Sequence, residues 1–455
     1  LGKKIKAVAA TGNLSTGFRE ESLARAIRQG AHFVGCDGGS TDSGPYYLGS
    51  GNPRGPRQGV KRNLGLILRE SLRAGIPAII GTAGHAGGRP HLQWAVEIVR
   101  ELARENAWHF KLAAIDSEID PGTLVDAFRK DQIKPLSPAP PFNEDVIRQG
   151  QRFVAMMGIE PIQSALASGA QMVIAGRCSD VAIYAALPVM QGIPKHVAFH
   201  AGKILECGAA SVAQRLYADC MAAELDEDGF TVEPPNPELR CTPQSVAAHT
   251  LYENADPYML VEPGGRLDTT AATYKAVSDR AVRVQGGQFV PAKYTVRIEG
   301  AALAGYRSIV IAGIRDPLIL GQLDHFLSSL HSAVERKIVD NLSPPPGAYT
   351  LNFRVYGRDG TLGPLEPNPK LEGHEIGLII DVVASSQELA SDILPLVWHS
   401  GLHHPIPEYQ GLISNFAFPF SPPGVDVGPV YRFCANHVWE LDDPCAPFQT
   451  TWETF

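Results

Sequence analysis

The sequence predicts an α/β protein: a doubly wound, mostly parallel sheet followed by a C-terminal α+β sandwich. Three observations predict it. Short apolar runs alternate with amphipathic helical stretches through the first half of the chain. Strand-like segments dominate after about Pro234. Each first-half strand also runs into a small, polar, glycine-rich loop, the kind of segment that lines the carboxyl edge of an open parallel sheet.

Ile5–Ala10 reads as a strand, Glu20–Gln29 as a helix and Ala31–Cys36 as a second strand. Arg57–Ala74 is helical because Leu64, Ile67, Leu68 and Leu72 fall on one stripe. Ile76–Ile80 is a strand, His91–Asn106 a helix and Phe110–Ile115 a strand. Thr123–Phe128 reads as a helix. Phe142–Gly158 follows as another after the proline stop at Pro135–Pro141, and the short helix Gln163–Ser168 precedes the strand Met172–Ala175. This alternation implies a sheet covered on both faces. In the second half, Thr242–Tyr252 is helical, then Arg280–Val284, Tyr294–Glu299 and Arg307–Ala312 are strands, with a hairpin turn between Glu299 and Gly305. A long helix from Leu318 to about Ile338, strands Tyr349–Tyr356 and Gly377–Ala384, and the helix Gln387–Trp398 complete a sheet with helices on one face. The predicted division is 1–235, an α/β ligand-binding domain, and 236–455, an α+β domain whose tail after Pro405 is irregular.

Composition narrows the class. The 455 residues are 44% hydrophobic and 19% charged, which excludes wholesale disorder. A net charge of −8 argues against a nucleic-acid partner held by a basic surface. The seven cysteines are scattered without a C-x-x-C pair, so a reducing, cytoplasmic setting is expected and a zinc ribbon is not. Apolar runs are too short for a membrane span, and no apolar segment follows Leu1-Gly2-Lys3-Lys4 to make a signal peptide.

The loops at the predicted strand ends carry the candidate chemistry. After the first strand comes Thr11–Gly17. After the second comes a run in which Asp37 and Asp42 lie close to the hydroxyls of Ser40, Thr41 and Ser43, a set suited to acid/base work or to a hard divalent cation. The bland reading is an Asx/Ser-rich turn. Gly81–Gly88 precedes a helix, so amides of Gly84, Gly87 and Gly88 are candidates to hold a phosphate or carboxylate, although neither a P-loop nor a dinucleotide fingerprint is present. His85 within it is an acid/base candidate. Asp116 follows the Phe110–Ile115 strand. Arg177, Cys178, Ser179 and Asp180 offer an anion clamp, a thiol, a hydroxyl and a carboxylate; Asp180 read blandly is a helix N-cap, and Cys178 an inert buried thiol. Lys203 and Glu206 share a helical face, as a substrate-handling pair or a plain ion pair.

Long motifs bind these pieces together. CDGGSTDSGPYYLGSG, GRCSDVA, AGKILECGA, CTPQSVAAHTLYENADPY, EPGGRLDTTAATY and GYRSIVIAGIRDP, with Asn415–Pro422 and Val430–Pro444, resemble the acyclic terpene utilisation family, AtuA-like, over essentially the whole chain. The resemblance implies a setting in the catabolism of acyclic terpenols such as citronellol and geraniol, through acyl-CoA intermediates, or in other organic-acid metabolism. It transfers no catalytic residue. The family pattern leads one to expect a small residue, usually glycine, where this chain has His85.

The expectation is an enzyme acting on a small carboxylate or its CoA thioester by proton abstraction next to a carbonyl: a lyase, hydratase or isomerase. Asp37, Asp42 or Asp180 supplies the base, while the Gly84–Gly88 amides, Arg177 and Lys203 bind anionic groups. One rival is a metal-dependent hydrolase with Asp37, Asp42, Asp116 and Asp180 as ligands of a divalent cation. Another is a non-catalytic accessory subunit. A homo-oligomer is expected on general grounds, and no cofactor is identified.

Overall fold

The computed structural model describes residues 3–10, 12–215, 217–408 and 414–455. Thr11, Leu1 and Gly2, which entered the sequence reading, lie outside the described residues. The chain forms two compact units, Leu1–Ala302 with Phe433–Phe455, and Leu303–Arg432. It passes from one to the other within two long strands, Thr295–Ile314 and Gly424–Glu440.

The first unit is built on a ten-stranded sheet. Its central strands are Ile5–Ala9, Phe33–Asp37, Ala78–Gly81, Met172–Ala175 and Lys111–Asp116, all parallel to their neighbours in that order. Both flanks are antiparallel. Met221–Leu225, Phe230–Glu233, Val282–Gln285 and Thr273–Ala276 extend one side, and Gln449–Thr454 closes the other. The fold is therefore mixed α/β, and the sheet is mixed rather than mostly parallel. A parallel pair needs a long crossover, whereas an antiparallel pair needs only a tight turn. One such turn joins Met221–Leu225 to Phe230–Glu233, where Asp226 Oδ1 accepts from the amides of Asp228 and Gly229.

Alternate residues of the central strands enter two separate cores. Ala7, Phe33, Ile79, Ala113 and Val173 pack with helices Ile159–Ala167, Asp180–Met190 and Lys195–Leu205. Val8, Val34, Ile80, Ala114 and Ile174 pack with helices Glu20–Arg28, Arg57–Ala74 and Arg89–Asn106. Burial on both faces explains why these strands read as unbroken apolar runs. The helix Asp180–Met190 is buried from Val181 to Pro188. It is apolar all round because protein surrounds it, and its first residue is a carboxylate at the sheet's carboxyl edge.

Two expectations fail, one of them because glycines were read as a turn. The stretch Phe142–Gly158 is a short helix, Glu144–Gln149, and then a strand, Arg152–Ala155. That strand pairs antiparallel with Ile298–Ala301. The expected hairpin between Glu299 and Gly305 is instead the interior of the single strand Thr295–Ile314. A Cβ on Gly300 would sit 2.5 Å from the Phe153 ring, and one on Gly305 would sit 2.6 Å from the Ala384 carbonyl oxygen. Both glycines permit close approach within a sheet rather than chain reversal.

In the second unit, residues 306–314 pair antiparallel with Ile376–Ala384, which pairs antiparallel with Tyr349–Tyr356. Phe326, Leu330, Val334 and Ile338 of helix Leu323–Leu342, with Ile393 and Val397 of helix Gln387–Leu402, share a core with Val310, Leu351, Leu378, Ile380 and Val382. The single helix expected from Leu318 is divided at Gln322. Pro317–Gly321 forms a short helix capped by Asp316, which accepts from the amides of Leu318 and Ile319. The tail read as irregular contains the strands Gly424–Glu440 and Gln449–Thr454. Among the described residues no helix is long and apolar enough to cross a membrane.

Candidate active-site cleft

At the carboxyl ends of the central strands of the first unit lies a cleft of about 450 Å³, where a parallel sheet places its ligands. Of the residues singled out in the sequence, Asp37, Ser40, Asp42, Ser43, His85 and Asp180 line it. Arg54, Arg215, Tyr252 and Cys207 line it as well, and sequence reasoning had not selected them.

Asp37 ends its strand and is 7% exposed. Its Oδ1 accepts from the Gly39 amide at 2.9 Å. Burial, then repulsion from Asp180, pushes its carboxyl well above the ordinary range, against the pull of Gly39 and Arg177. Asp180 sits one position after the N-cap Ser179, so it is not itself the cap. Burial raises its carboxyl to about 6, opposed by Arg177 and Lys203 and assisted by Asp42. Its Oδ1 is 3.9 Å from Arg177 Nη1 and has no hydrogen-bond partner among the described residues. Asp42 is exposed, accepting from Ser40 Oγ at 2.9 Å.

Behind this lining lies a buried charged layer. Arg177 Nε donates to Glu299 Oε2 at 2.7 Å, and its Nη1 to the Cys178 carbonyl at 2.9 Å. Burial alone would raise the Glu299 carboxyl, but Arg177 outweighs it and holds the group below its ordinary value. Thr41 Oγ1 donates to the other Glu299 oxygen at 2.8 Å. The guanidinium expected to clamp a ligand thus has an internal carboxylate on it. Ser179 Oγ donates to Glu262 Oε2 at 2.5 Å, and burial pushes Glu262 up to about 8. Lys203 Nζ donates to Glu206 Oε1 at 2.6 Å, so the predicted pair forms, buried rather than on the surface. Burial raises Glu206 to about 7 against the pull of Lys203.

On another wall, Ser43 Oγ lies 2.9 Å from His85 Nε2 and 2.5 Å from Arg54 Nη1. Burial, and next the Arg54 charge, lower His85 to about 4, so its ring is neutral at physiological pH. Gly39 presses on this ring: a Cβ there would sit 2.4 Å from His85 Nδ1, and the backbone has φ +143°. Gly39→Ala is expected to cost about 1 kcal/mol or more, read as a lower thermal midpoint.

Other predicted residues lie away from the cleft lining. Gly84, Gly87 and Gly88 are buried, and a Cβ on Gly84 or Gly87 would overlap the His91 or Arg177 backbone. The helix that follows them receives its anion from within: the Arg89 amide donates to Glu118 Oε2 at 2.7 Å. Asp116 is bound by Arg89 Nε at 2.6 Å and does not line the cleft with Asp37, Asp42 and Asp180. Among the described residues no group of three or more His, Cys, Asp or Glu side chains is arranged to hold a metal ion. Cys178 is fully buried against Thr82, and burial pushes its thiol up to about 12. Native-state titration with a disulfide reagent, followed by peptide mapping, is expected to leave Cys178 unmodified until the chain is denatured.

Sequence signals explain what was found and missed. Asp37 and Asp180 follow directly from the strand-end rule. Glu299 and Glu262 reach the layer from strands 122 and 83 positions away from their partners, and no local pattern marks them. No curated protein matches the chain. No solved structure matches it. The family described as acyclic terpene utilisation family protein AtuA matches residues 57–409. The cleft residues Asp180, Cys207, Arg215 and Tyr252 fall within that match, and the chain belongs to the AtuA acyclic terpene utilisation family.

Proposed function

We propose that this chain is an enzyme of small organic-acid or acyl-CoA catabolism that abstracts a proton next to a carbonyl, as a lyase, hydratase or isomerase does. The observation that carries the reading is the pair Asp37 and Asp180. Both line one cleft, both are raised by burial, and Asp180 raises Asp37 further by repulsion. Two interacting carboxyls whose environments separate their titrations divide acid and base roles. Asp180, at about 6, is ionised at neutral pH, and its side chain is 31% exposed in the cleft; it takes the substrate proton. Burial favours the protonated form of Asp37, and in that form it donates a hydrogen bond to the carbonyl oxygen as that oxygen gains charge.

The surrounding charges support these roles. Lys203 and Arg177 favour the ionised form of Asp180. Arg54 and Arg215 give the cleft two guanidiniums, groups suited to a carboxylate or phosphate. Acyclic terpene utilisation, the family's described role, is in keeping with a catabolic setting. The test is a thermal-shift series on the full chain with CoA, acyl-CoAs and short branched or hydroxylated acids. A ligand at a hundred times its Kd adds about 2.7 kcal/mol. A raised midpoint with an acid or acyl-CoA, reduced by Arg215→Ala, is expected. A flat response across the series contradicts the substrate class.

A further inference from the structure

A second reactive group shares the cleft with the two carboxyls and uses neither. We propose that Ser43 is an acyl-accepting nucleophile, with His85 as its proton acceptor and Arg54 as its electrostatic support. The substrate class is a short acyl thioester or ester. The inference does not rest on the proton-transfer reading and shares only its cleft.

The contacts define the roles. A guanidinium only donates hydrogen bonds, so Arg54 Nη1, 2.5 Å from Ser43 Oγ, occupies a lone pair of the hydroxyl. The remaining partner of the hydroxyl is His85 Nε2 at 2.9 Å. Of the two, only His85 can accept the Ser43 proton, and it does so in the tautomer that carries its own proton on Nδ1. The imidazole is held in place at a cost. His85 has φ +96°, a conformation that a side-chain-bearing residue adopts under strain. The ring meets Tyr47 edge-on with centroids 4.9 Å apart, and Gly39 closes against Nδ1. Ser43 itself is exposed and lines the cleft, so its oxygen is open to a ligand. A strained, buried histidine aimed at an open serine is a nucleophile–base arrangement. Its lowered titration keeps the acceptor nitrogen free throughout the neutral range.

The chemistry balances without a co-reactant other than water. Ser43 Oγ attacks the acyl carbon while its proton passes to His85 Nε2. The carbonyl oxygen takes up the negative charge beside the Arg54 guanidinium. Collapse breaks the carbon–sulfur or carbon–oxygen bond, and the leaving group departs with the proton from His85. Water then attacks the Ser43 ester, gives its proton to His85, and releases the acid as Ser43 regains its hydrogen. The sum is thioester plus water giving acid plus thiol.

An alkyl fluorophosphonate probe tests this on the purified full chain without knowledge of the substrate. The expected result is one adduct mapped to Ser43, absent in Ser43→Ala and formed at least tenfold more slowly in His85→Gln at unchanged fold by circular dichroism. A folded wild-type chain that gains no adduct at Ser43 overturns the proposal. So does labelling that proceeds at the same rate in His85→Gln, because the hydrogen bond then only ties down the loop.

Discussion

Asp180→Asn is expected to lower turnover by about 10²–10⁴-fold and to leave the chain folded. The loss follows from the removal of a cleft carboxylate that titrates at about 6 and has its side chain 31% exposed. The fold survives because asparagine keeps the shape and the lost ion pair to Arg177 is a long one, at 3.9 Å. The sign of the stability change also follows. The Asp180 carboxyl titrates higher in the folded chain than its ordinary 3.8. The folded state therefore binds the proton more tightly, and the contribution of this group to stability falls as pH rises from about 4 through about 6. A neutral asparagine avoids that loss, so at pH 7 the thermal midpoint stays level or rises. Turnover of the wild type should fall on the acid side as pH drops through about 6, and on the alkaline side when Asp37 gives up its proton. An unchanged acid limb in Asp180→Asn would assign that titration to another group.

Glu299→Ala is expected to destabilise the first unit by about 3–5 kcal/mol, measured as a fall in its denaturation midpoint. Arg177 and Glu299 are a buried pair, with side chains 7% and 5% exposed and a 2.7 Å contact. Removing the carboxylate strands a guanidinium in a region where water cannot replace it. It also leaves the Thr41 hydroxyl without its acceptor. The double variant Arg177→Met/Glu299→Leu should recover much of the loss, because neither charge is then left alone. Since the Glu299 carboxyl titrates below its ordinary 4.5 in the folded chain, its contribution is complete above that value and fades as pH falls below it. Equal destabilisation of the single and double variants would show that packing, and not charge pairing, sets the effect.

The legible part of this protein was the part governed by local rules. Periodicity gave the central strands, and the strand-end rule then led to Asp37 and Asp180. The antiparallel flanks were legible only at Arg280–Val284, which overlaps the strand Val282–Gln285. Met-Ala-Ala-Glu-Leu at Met221–Leu225 contains no β-branched residue, yet it forms a strand because it pairs with Ile5–Ala9. Gly300 and Gly305 signalled a turn and serve as points of close contact. The loop Gly81–Gly88 signalled an anion cradle, but Glu118 supplies the anion. Arg177 read as a ligand clamp because its partner, Glu299, comes from a strand remote in sequence. In each case a tertiary partner decided what a local signal meant.

Proton transfer at a carbon next to a carbonyl is the reaction proposed for the cleft. The most direct measurement is incubation of the purified chain in deuterated water with the acids or acyl-CoAs that stabilise it, followed by mass spectrometry of the recovered ligand. Deuterium is expected at the carbon next to the carbonyl with the wild type, and loss of that exchange in Asp180→Asn. A ligand that binds in the cleft and returns without deuterium, while other chemistry proceeds, would contradict it.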